Sequence, residues 1–530
     1  MLFDAVEMVA VALCCVIASV HCVHAFQKER YRLPAYRQWL RRTQDRYLKE
    51  NVATGFAASL LSWYLPMLLS LFISVESTRT AVANWVTLVG FAVVAIAFAL
   101  IHQAEPAKKP LVLTMRARRL FVVLTVLYAG AVLLLNLLSI PPYIAYAGVP
   151  FIVLLGGRIM DPVEGRINAG FYEEARRKLA ARGDLIKIGI TGSYGKTQTK
   201  FILREILSRK YEVLATPASF NTAMGLSRVI NDSLEPKHQV FIAEMGAQHV
   251  GDIKHLVRLV KPKYGMITSI GPQHLDTFGS IANVVETKNE LIEGLPEDGA
   301  AFFASDCGYT DRLFARCPRE KYNAAVEPAG EDCYMRASEL SFGPDGTRFV
   351  LTCADGGRVR CHTRLLGRFN VQNIALSAAL AHRLGMSMED IGAGIAQLAP
   401  FDRKLHLIPG GRTTIDDTLN ASLEGAAEAF NVLSEFPGRR IVVTPGLPAD
   451  LPKAEEMNYA LGTQMKGCVD FAILVGDRRA VRPILKGILS TGFPRSAVRV
   501  VADSDDAEAA LDEVASEGDT VLYECEVEEA

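Results

Sequence analysis

The rhythm of apolar positions changes three times along this chain. The first third holds long, nearly uninterrupted apolar stretches at 8–26, 52–75, 81–101, 120–139 and 143–157. The first four have about the length needed to cross a bilayer. The fifth is shorter and contains Pro150, so it reads either as a fifth span or as a re-entrant or interfacial segment. From 158 to 182 charges and apolar residues alternate with a helical period, and Phe171, Tyr172, Ala175 and Leu179 can share one face. Beyond 184, short apolar runs fit for buried strands (185–190, 240–243, 264–268) alternate with amphipathic stretches (198–208, 253–260, 281–291), which predicts a mostly parallel sheet wrapped by helices. Residues 334–364 break into short β segments around Gly343-Pro344-Asp345-Gly346 and Asp355-Gly356-Gly357, an antiparallel extension of that sheet. Strand and helix alternate again from 411 to 524, with strands expected at 440–444, 471–475 and 520–523. The pattern predicts a helical membrane region over 1–157 with four to five spans, a connecting helix over 158–183, a central α/β domain over 184–399 and a second α/β domain over 400–530.

Charge orients the first region. Lys28, Arg30, Arg32, Arg37, Arg41, Arg42, Arg46 and Lys49 separate the first two stretches, and Lys108, Lys109, Arg116, Arg118 and Arg119 separate the third and fourth. Both loops are expected on the cytoplasmic side. Five spans with the N-terminus outside then place everything after Gly157 in the cytoplasm. Asp4 and Glu7 precede the first stretch and its positive charges follow it, the reverse of a cleaved signal peptide. Trp39, Tyr31, Tyr36 and Tyr47 interleave with the arginines of the first loop, which reads as an amphipathic segment on anionic lipid. A net charge of −1 gives no general affinity for nucleic acid. The ten cysteines contain no CxxC pair, so they read as reduced, structurally incidental thiols.

The chemistry is concentrated at Thr191-Gly192-Ser193-Tyr194-Gly195-Lys196-Thr197, a glycine-rich loop between a predicted strand and a predicted helix. Gly192 and Gly195 let the backbone amides face a phosphate, Lys196 supplies a point charge and Thr197 a hydroxyl for Mg²⁺. Ile190 stands where the common nucleotide loop has its first glycine. Glu244 ends the apolar run 240–243, where α/β sheets place ligands, and is either a Mg²⁺ ligand or a capping or surface carboxylate. His274, in Gly271-Pro272-Gln273-His274, follows the next strand and would reach the same sheet edge as Glu244 and Thr197. A solvated or capping role is the alternative. Taken by itself, Lys288 reads as part of a solvated helix face.

Six segments occur in the order found in Mur ligases: 191–197, Thr216-Pro217-Ala218-Ser219-Phe220-Asn221, Ala243-Glu244-Met245-Gly246-Ala247, Gly271 to His274 with Phe278-Gly279-Ser280, Gly367-Arg368-Phe369-Asn370-Val371-Gln372-Asn373, and Asp416-Asp417-Thr418-Leu419-Asn420. From about Asp184 onward the chain resembles the MurF type, which joins D-alanyl-D-alanine to a muramoyl peptide. The resemblance implies a P-loop central domain, a Rossmann-like C-terminal domain, and ATP and Mg²⁺ as cofactors. It implies a nucleotide site of Gly192, Ser193, Tyr194, Gly195, Lys196 and Thr197. Asn221 would lie near the transferred phosphoryl group, Asn370 and Asn373 would face adenine, Arg403 a phosphate and Asp417 the ribose. Thr197, Glu244 and His274 would serve the metal, and Lys288 matches a position carbamylated in many Mur ligases, where it becomes an anionic oxygen ligand. The catalytic set is then Lys196, Lys288, Glu244 and His274. Partners implied are a UDP-linked or lipid-linked muramoyl peptide, D-alanyl-D-alanine or another amine, and membrane lipid. Phe369 replaces a common histidine, Leu419 replaces the usual tyrosine, and 521–526 lack the usual basic, glycine-containing tail. Membrane stretches stand in place of the soluble domain that grips the uridine nucleotide. Two other readings are a membrane ligase of amino-acid polymers, similar to poly-γ-glutamate synthases, and a non-catalytic nucleotide-binding scaffold.

Overall fold

The computed structural model describes residues 2–42, 46–103, 111–305, 308–328, 333–408, 410, 412–419, 422–448, 453–477 and 481–526. Lys108, Lys109, Cys307 and Asn420 lie outside the described residues. The chain divides into two compact units, Met1–Gly170 and Phe171–Ala530.

The first unit is helical: α1 (Leu2–Lys28), α2 (Leu33–Arg42), α3 (Arg46–Leu69), α4 (Glu76–Gln103), α5 (Met115–Leu137), α6 (Ile144–Ala147) and the start of α7 (Val149–Ala180). Segments of α1, α3, α4 and α5 are long and apolar enough to cross a membrane. Each carries exposed large apolar side chains, among them Val9, Met67, Val93 and Leu137, the kind of surface that marks membrane or protein contact. The fifth apolar stretch differs from its reading as a separate element. It forms α6 and the first turns of α7, and α7 runs on without a break into the stretch expected to be a distinct connecting helix. Tyr143, Tyr146, Val149 and Val153 bury one side of this segment in the bundle core. The aromatic residues of α2 also differ from expectation. Leu33 and Tyr36 are buried, Tyr36 stacks on Trp39 with ring centroids 5.4 Å apart, and the Tyr36 hydroxyl donates to the Pro150 carbonyl at 3.4 Å. Protein, not lipid, covers that face of α2. Within the bundle, Arg119 forks onto the nearly buried Glu164 through two bonds of 2.7 and 2.9 Å.

The second unit contains two sheets. Strands β1 (Ile186–Thr191), β2 (Val213–Ala215), β3 (Val240–Glu244), β4 (Tyr264–Ile267), β5 (Ala300–Ala304), β6 (Glu320–Val326), β7 (Met335–Gly343), β8 (Gly346–Cys353) and β9 (Arg358–Thr363) form one sheet in the order β2-β3-β1-β4-β5-β6-β7-β8-β9. It is parallel from β2 through β7, and β7-β8-β9 are antiparallel, as the turn residues at 343–346 and 355–357 require. Its helices are α8 (Lys196–Leu207), α9 (Ala223–Ser233), α10 (Asp252–Val260), α11 (Leu275–Phe278), α12 (Ile281–Glu293), α13 (Gly308–Arg316), α14 (Arg368–Arg383) and α15 (Met388–Ala396). Alternate strand residues point into two cores: Ile188, Ile242 and Phe302 meet α8 and α14, and Phe241, Ala243 and Phe303 meet α10 and α12. Burial on both faces explains why these strands read as continuous apolar runs.

The second sheet, ordered β10-β11-β15-β12-β13-β14, comprises β10 (His406–Ile408), β11 (Thr413–Asp417), β12 (Arg440–Thr444), β13 (Phe471–Val475), β14 (Val498–Val501) and β15 (Thr520–Glu524). It is parallel except for β10. Helices α16 (Leu423–Ser434), α17 (Ala454–Gln464) and α18 (Arg482–Ser490) cover one face and α19 (Ser504–Val514) the other.

Candidate active site

The first sheet reverses its winding between β1 and β4, and ligands of open α/β sheets bind at such a switch point beyond the strands' C-terminal ends. Three strand ends meet there. β1 runs into the glycine-rich loop, β3 ends on Glu244, and β4 leads into the segment 268–274. The last two hold the loop in place. Ser193 N–H donates to the Ser269 carbonyl at 2.7 Å, the Ser193 hydroxyl to the Gly271 carbonyl at 3.0 Å, and the Thr191 hydroxyl to the Met245 carbonyl at 2.9 Å. Gly195 has φ of +80°, and a Cβ there would come within 2.7 Å of the Phe369 ring and 3.0 Å of the Asn373 amide oxygen. Glycine is therefore required at this turn for both conformation and space.

Glu244 is the centre of the site. It is buried, and both carboxylate oxygens are engaged. One accepts from the Asn221 amide at 3.0 Å; the other accepts from the Thr197 hydroxyl at 3.1 Å and the Lys200 ammonium at 2.9 Å. The close approach of Asn221 depends on Gly246, where a Cβ would lie 2.6 Å from the Asn221 side chain. Lys200 also donates to the Ala218 carbonyl and has no exposed surface. This lysine is absent from the residue set expected from sequence. Its signal was available: it follows Thr197 by three positions, so the two share a face of α8.

Lys196 folds back on its own loop, donating to the carbonyls of Gly192 at 2.7 Å and Ser193 at 2.9 Å. Burial pulls its amine down to about 8, against the opposing attraction of Glu244. Lys288 is buried on the inner face of α12, so the solvated-face reading of this lysine taken alone is overturned. Its amine is held down to about 7, first by burial and then by the like charge of Lys196, while Asp252 and Glu290 pull the other way. His274 caps the four-residue α11 in a left-handed conformation, with φ of 56°, and is exposed at the same sheet edge.

On the far side of the loop, Asn370 and Asn373 lie buried on α14. Asn370 donates to the Leu366 carbonyl at 2.8 Å, while its amide oxygen and the Asn373 amide nitrogen are buried without a hydrogen-bond partner. Such orphaned polar atoms beside the phosphate loop fit a purine edge that would donate and accept. In the C-terminal domain, Arg403 donates to the Thr418 hydroxyl at 2.9 Å and pairs with Glu526 at 2.8 Å. Asp417 is buried, accepts from the Leu405 amide at 3.0 Å and faces Glu524 across the β11–β15 ladder.

Glu524 is wholly buried with one oxygen lacking a hydrogen bond, and burial, then Asp417, raises its carboxyl well above the ordinary carboxylate range. A raised carboxyl binds its proton more tightly in the folded protein than in the unfolded chain. Its contribution is full below the ordinary value and is lost as pH rises toward the folded one. Glu524→Gln is therefore expected to stabilise the protein at pH 7.5 by about 1–3 kcal/mol and to flatten the decline of melting temperature above pH 5. A scan of melting temperature against pH checks this.

A phosphate-binding loop at the switch point of a parallel sheet, with a second parallel α/β domain following it, defines an α/β nucleotide-binding protein of two catalytic-type domains. Residues 190–381 match the Mur ligase middle domain and residues 404–524 match the Mur ligase, glutamate ligase domain. The chain belongs to the Mur ligase family, whose members use ATP and Mg²⁺. Among its relatives, the UDP-N-acetylmuramoyl-tripeptide–D-alanyl-D-alanine ligase of Escherichia coli (strain K12) is 29% identical over 295 residues, 55% of this chain and 64% of that protein. The enzyme of the same name from Bacillus subtilis (strain 168) is 28% identical over 348 residues, 63% of this chain and 72% of the relative. The chain thus spans just under two thirds of the Escherichia coli relative's length. Among solved structures, MurF from Thermotoga maritima in complex with ADP superposes with a TM-score of 0.57 at 24% identity, covering 68% of this chain and 80% of that one. MurF from Acinetobacter baumannii gives 0.58 at 24% identity, covering 68% and 77%. These likenesses establish the shared fold.

Proposed function

We propose that this protein is a membrane-anchored, ATP-dependent amide ligase of cell-envelope peptides, acting on a muramoyl-peptide carboxylate with D-alanyl-D-alanine or a similar amine as donor. The observation that carries this reading is the convergence of Lys196, Thr197, Asn221 and Glu244 beside a glycine-rich loop, with an amine at Lys288 held near neutrality. The acceptor carboxylate oxygen attacks the γ-phosphorus of ATP; ADP leaves and an acyl phosphate forms. Charge building on the transferring group is met by the loop amides and by Lys196 once it swings from its own carbonyls. The donor amine then attacks the acyl carbon. The tetrahedral intermediate expels phosphate, the amine's proton passes to solvent or a basic group, and an amide remains.

Glu244 and Thr197 offer the hard oxygen donors that Mg²⁺ prefers, with His274 on the same edge, and a bound Mg²⁺ would neutralise phosphate charge. Asn221 and Lys200 set the orientation of Glu244. Asn370 and Asn373 offer the adenine contacts, and Arg403 a phosphate contact after release from Glu526. Asp417 needs a rearranged C-terminal domain to reach a ribose, which agrees with closure of that domain over the nucleotide.

The helical unit favours residence in a bacterial inner membrane with the ligase domains in the cytoplasm. Four hydrophobic spans with the N-terminus outside end at α5 on the outer side, and the bundled segment 143–160 then returns the chain inward. Anchoring would place the site where lipid-linked precursors reside, so the acceptor is either UDP-linked or lipid-linked. The deciding experiment supplies ATP, D-alanyl-D-alanine and both muramoyl peptides, and reads the products by mass spectrometry. The expected result is a dipeptide mass increment on one acceptor, ADP released only when acceptor and amine are both present, and loss of product with Lys196→Ala. An increment on neither acceptor overturns the substrate assignment.

A further inference from the structure

We infer that the central domain carries a zinc site at Cys353, Asp355 and His382, separate from the nucleotide loop. The three residues come from different places in the fold. Cys353 ends β8, Asp355 lies in the turn to β9, and His382 sits in the last turn of α14. Cys353 Sγ lies 3.5 Å from His382 Nδ1, whereas Asp355 Oδ2 lies 3.3 Å from the opposite ring nitrogen, Nε2, so an ion would take one nitrogen and the ligand beside the other would close in on it. One donor atom from each residue can be chosen so that all three lie within 4.8 Å of one another. Ligands on a tetrahedral zinc, at about 2.3 Å for sulfur and about 2.0 Å for nitrogen or oxygen, stand roughly 3.3–3.6 Å apart. The observed sulfur–nitrogen spacing needs no adjustment to reach that value.

The surroundings favour a cation. His382 lies at the C-terminal end of a sixteen-residue helix, where the helix dipole is negative. Asp355 is oriented by the Gly357 amide, which donates to its other oxygen at 2.9 Å. The Tyr334 hydroxyl is 2.8 Å from His382 Nδ1; an ion on that nitrogen would displace this bond and leave the hydroxyl beside the fourth coordination position. Among the described residues no other group of three cysteine, histidine or carboxylate donors comes together in this way. The mixed sulfur, nitrogen and oxygen set suits a borderline-soft ion such as Zn²⁺ and not the Mg²⁺ expected at Glu244. On binding, the metal replaces the thiol proton of Cys353, which passes to solvent. The bound ion would clip the β8–β9 hairpin to the end of α14, the helix that also carries Asn370 and Asn373.

The test uses the full chain in detergent under thiol-free reductant, titrated with Co²⁺ alone and then with Zn²⁺. The expected result is a thiolate-to-cobalt absorption in the near ultraviolet that saturates at one thiolate-bound Co²⁺ per chain and is displaced by Zn²⁺. Cobalt at the oxygen ligands of the nucleotide site gives no such band, so the result is independent of the ligase reading. Cys353→Ser should abolish the band. Asp355→Asn, at a side chain 57% exposed and so harmless to folding, should weaken binding by about tenfold or more. A missing thiolate band in the wild type, a band that survives Cys353→Ser, or an affinity indifferent to Asp355→Asn would overturn the assignment.

Discussion

Glu244→Ala is expected to cost about 3–5 kcal/mol of stability in addition to abolishing phosphoryl transfer. The reason lies in Lys200, which has no exposed surface and whose ammonium is 2.9 Å from the Glu244 carboxylate. Burial already disfavours the charged amine, and Glu244 is the main group opposing that effect. Removing the carboxylate leaves a buried ammonium that must either shed its proton or draw water into the domain. The destabilisation should therefore shrink as pH rises and the amine is neutralised more readily. The double variant Glu244→Ala with Lys200→Met should recover most of the lost stability, because an apolar chain of similar length then fills the site. It should recover none of the activity. Denaturant unfolding of the single and double variants at pH 7 and 9 measures this coupling, and additive effects of the two substitutions would show that the pair does not act as one unit.

Lys288 should make the proposed ligase reaction depend on both pH and dissolved CO₂. Only a neutral amine adds CO₂, and the Lys288 amine is held down to about 7. Its neutral fraction falls as pH drops through that value, so the rate should fall with it, and added bicarbonate should restore part of the loss near pH 7. Lys288→Arg, which keeps the positive charge but cannot form a carbamate, should be as inactive as Lys288→Ala, each down by about 10²-fold or more. Rates of phosphate release across pH 6–9 with and without bicarbonate test the kinetic half. A carbamate carbon resonance in protein supplied with ¹³C-bicarbonate, absent from Lys288→Ala, tests the chemical half. A flat profile with no resonance would remove the carbamate from the mechanism.

The three lysines of the site show different degrees of legibility in sequence. Lys196 is announced by its neighbours, since a glycine-rich loop between a strand and a helix has few other uses. Lys288 lies within an ordinary amphipathic helix, and nothing local distinguishes it from a solvated residue; Lys200 shares a helix face with Thr197, but that spacing does not say whether the face is buried. Which side of α8 or α12 is covered depends on the sheet they pack against. The same holds for Cys353, Asp355 and His382. Cys353 and His382 are 29 positions apart and belong to a strand and a helix.

Local pattern by itself determined the elements: apolar length marked the helices long enough to cross a membrane, continuous apolar runs marked strands buried on both faces, and paired turn residues marked the antiparallel extension. It also located the phosphate loop and, through the order of short motifs, the family. Those features depend on interactions within a few residues or on the simple demand for apolar burial, so they survive in one dimension. Tertiary structure alone decided that Lys200 locks Glu244, that Asp417 faces a buried Glu524, that α2 packs its aromatic residues into protein, and that a thiol, a carboxylate and an imidazole meet. Each of these depends on which chemically ordinary side chains the fold removes from water together, and desolvation changes their behaviour only once they are side by side.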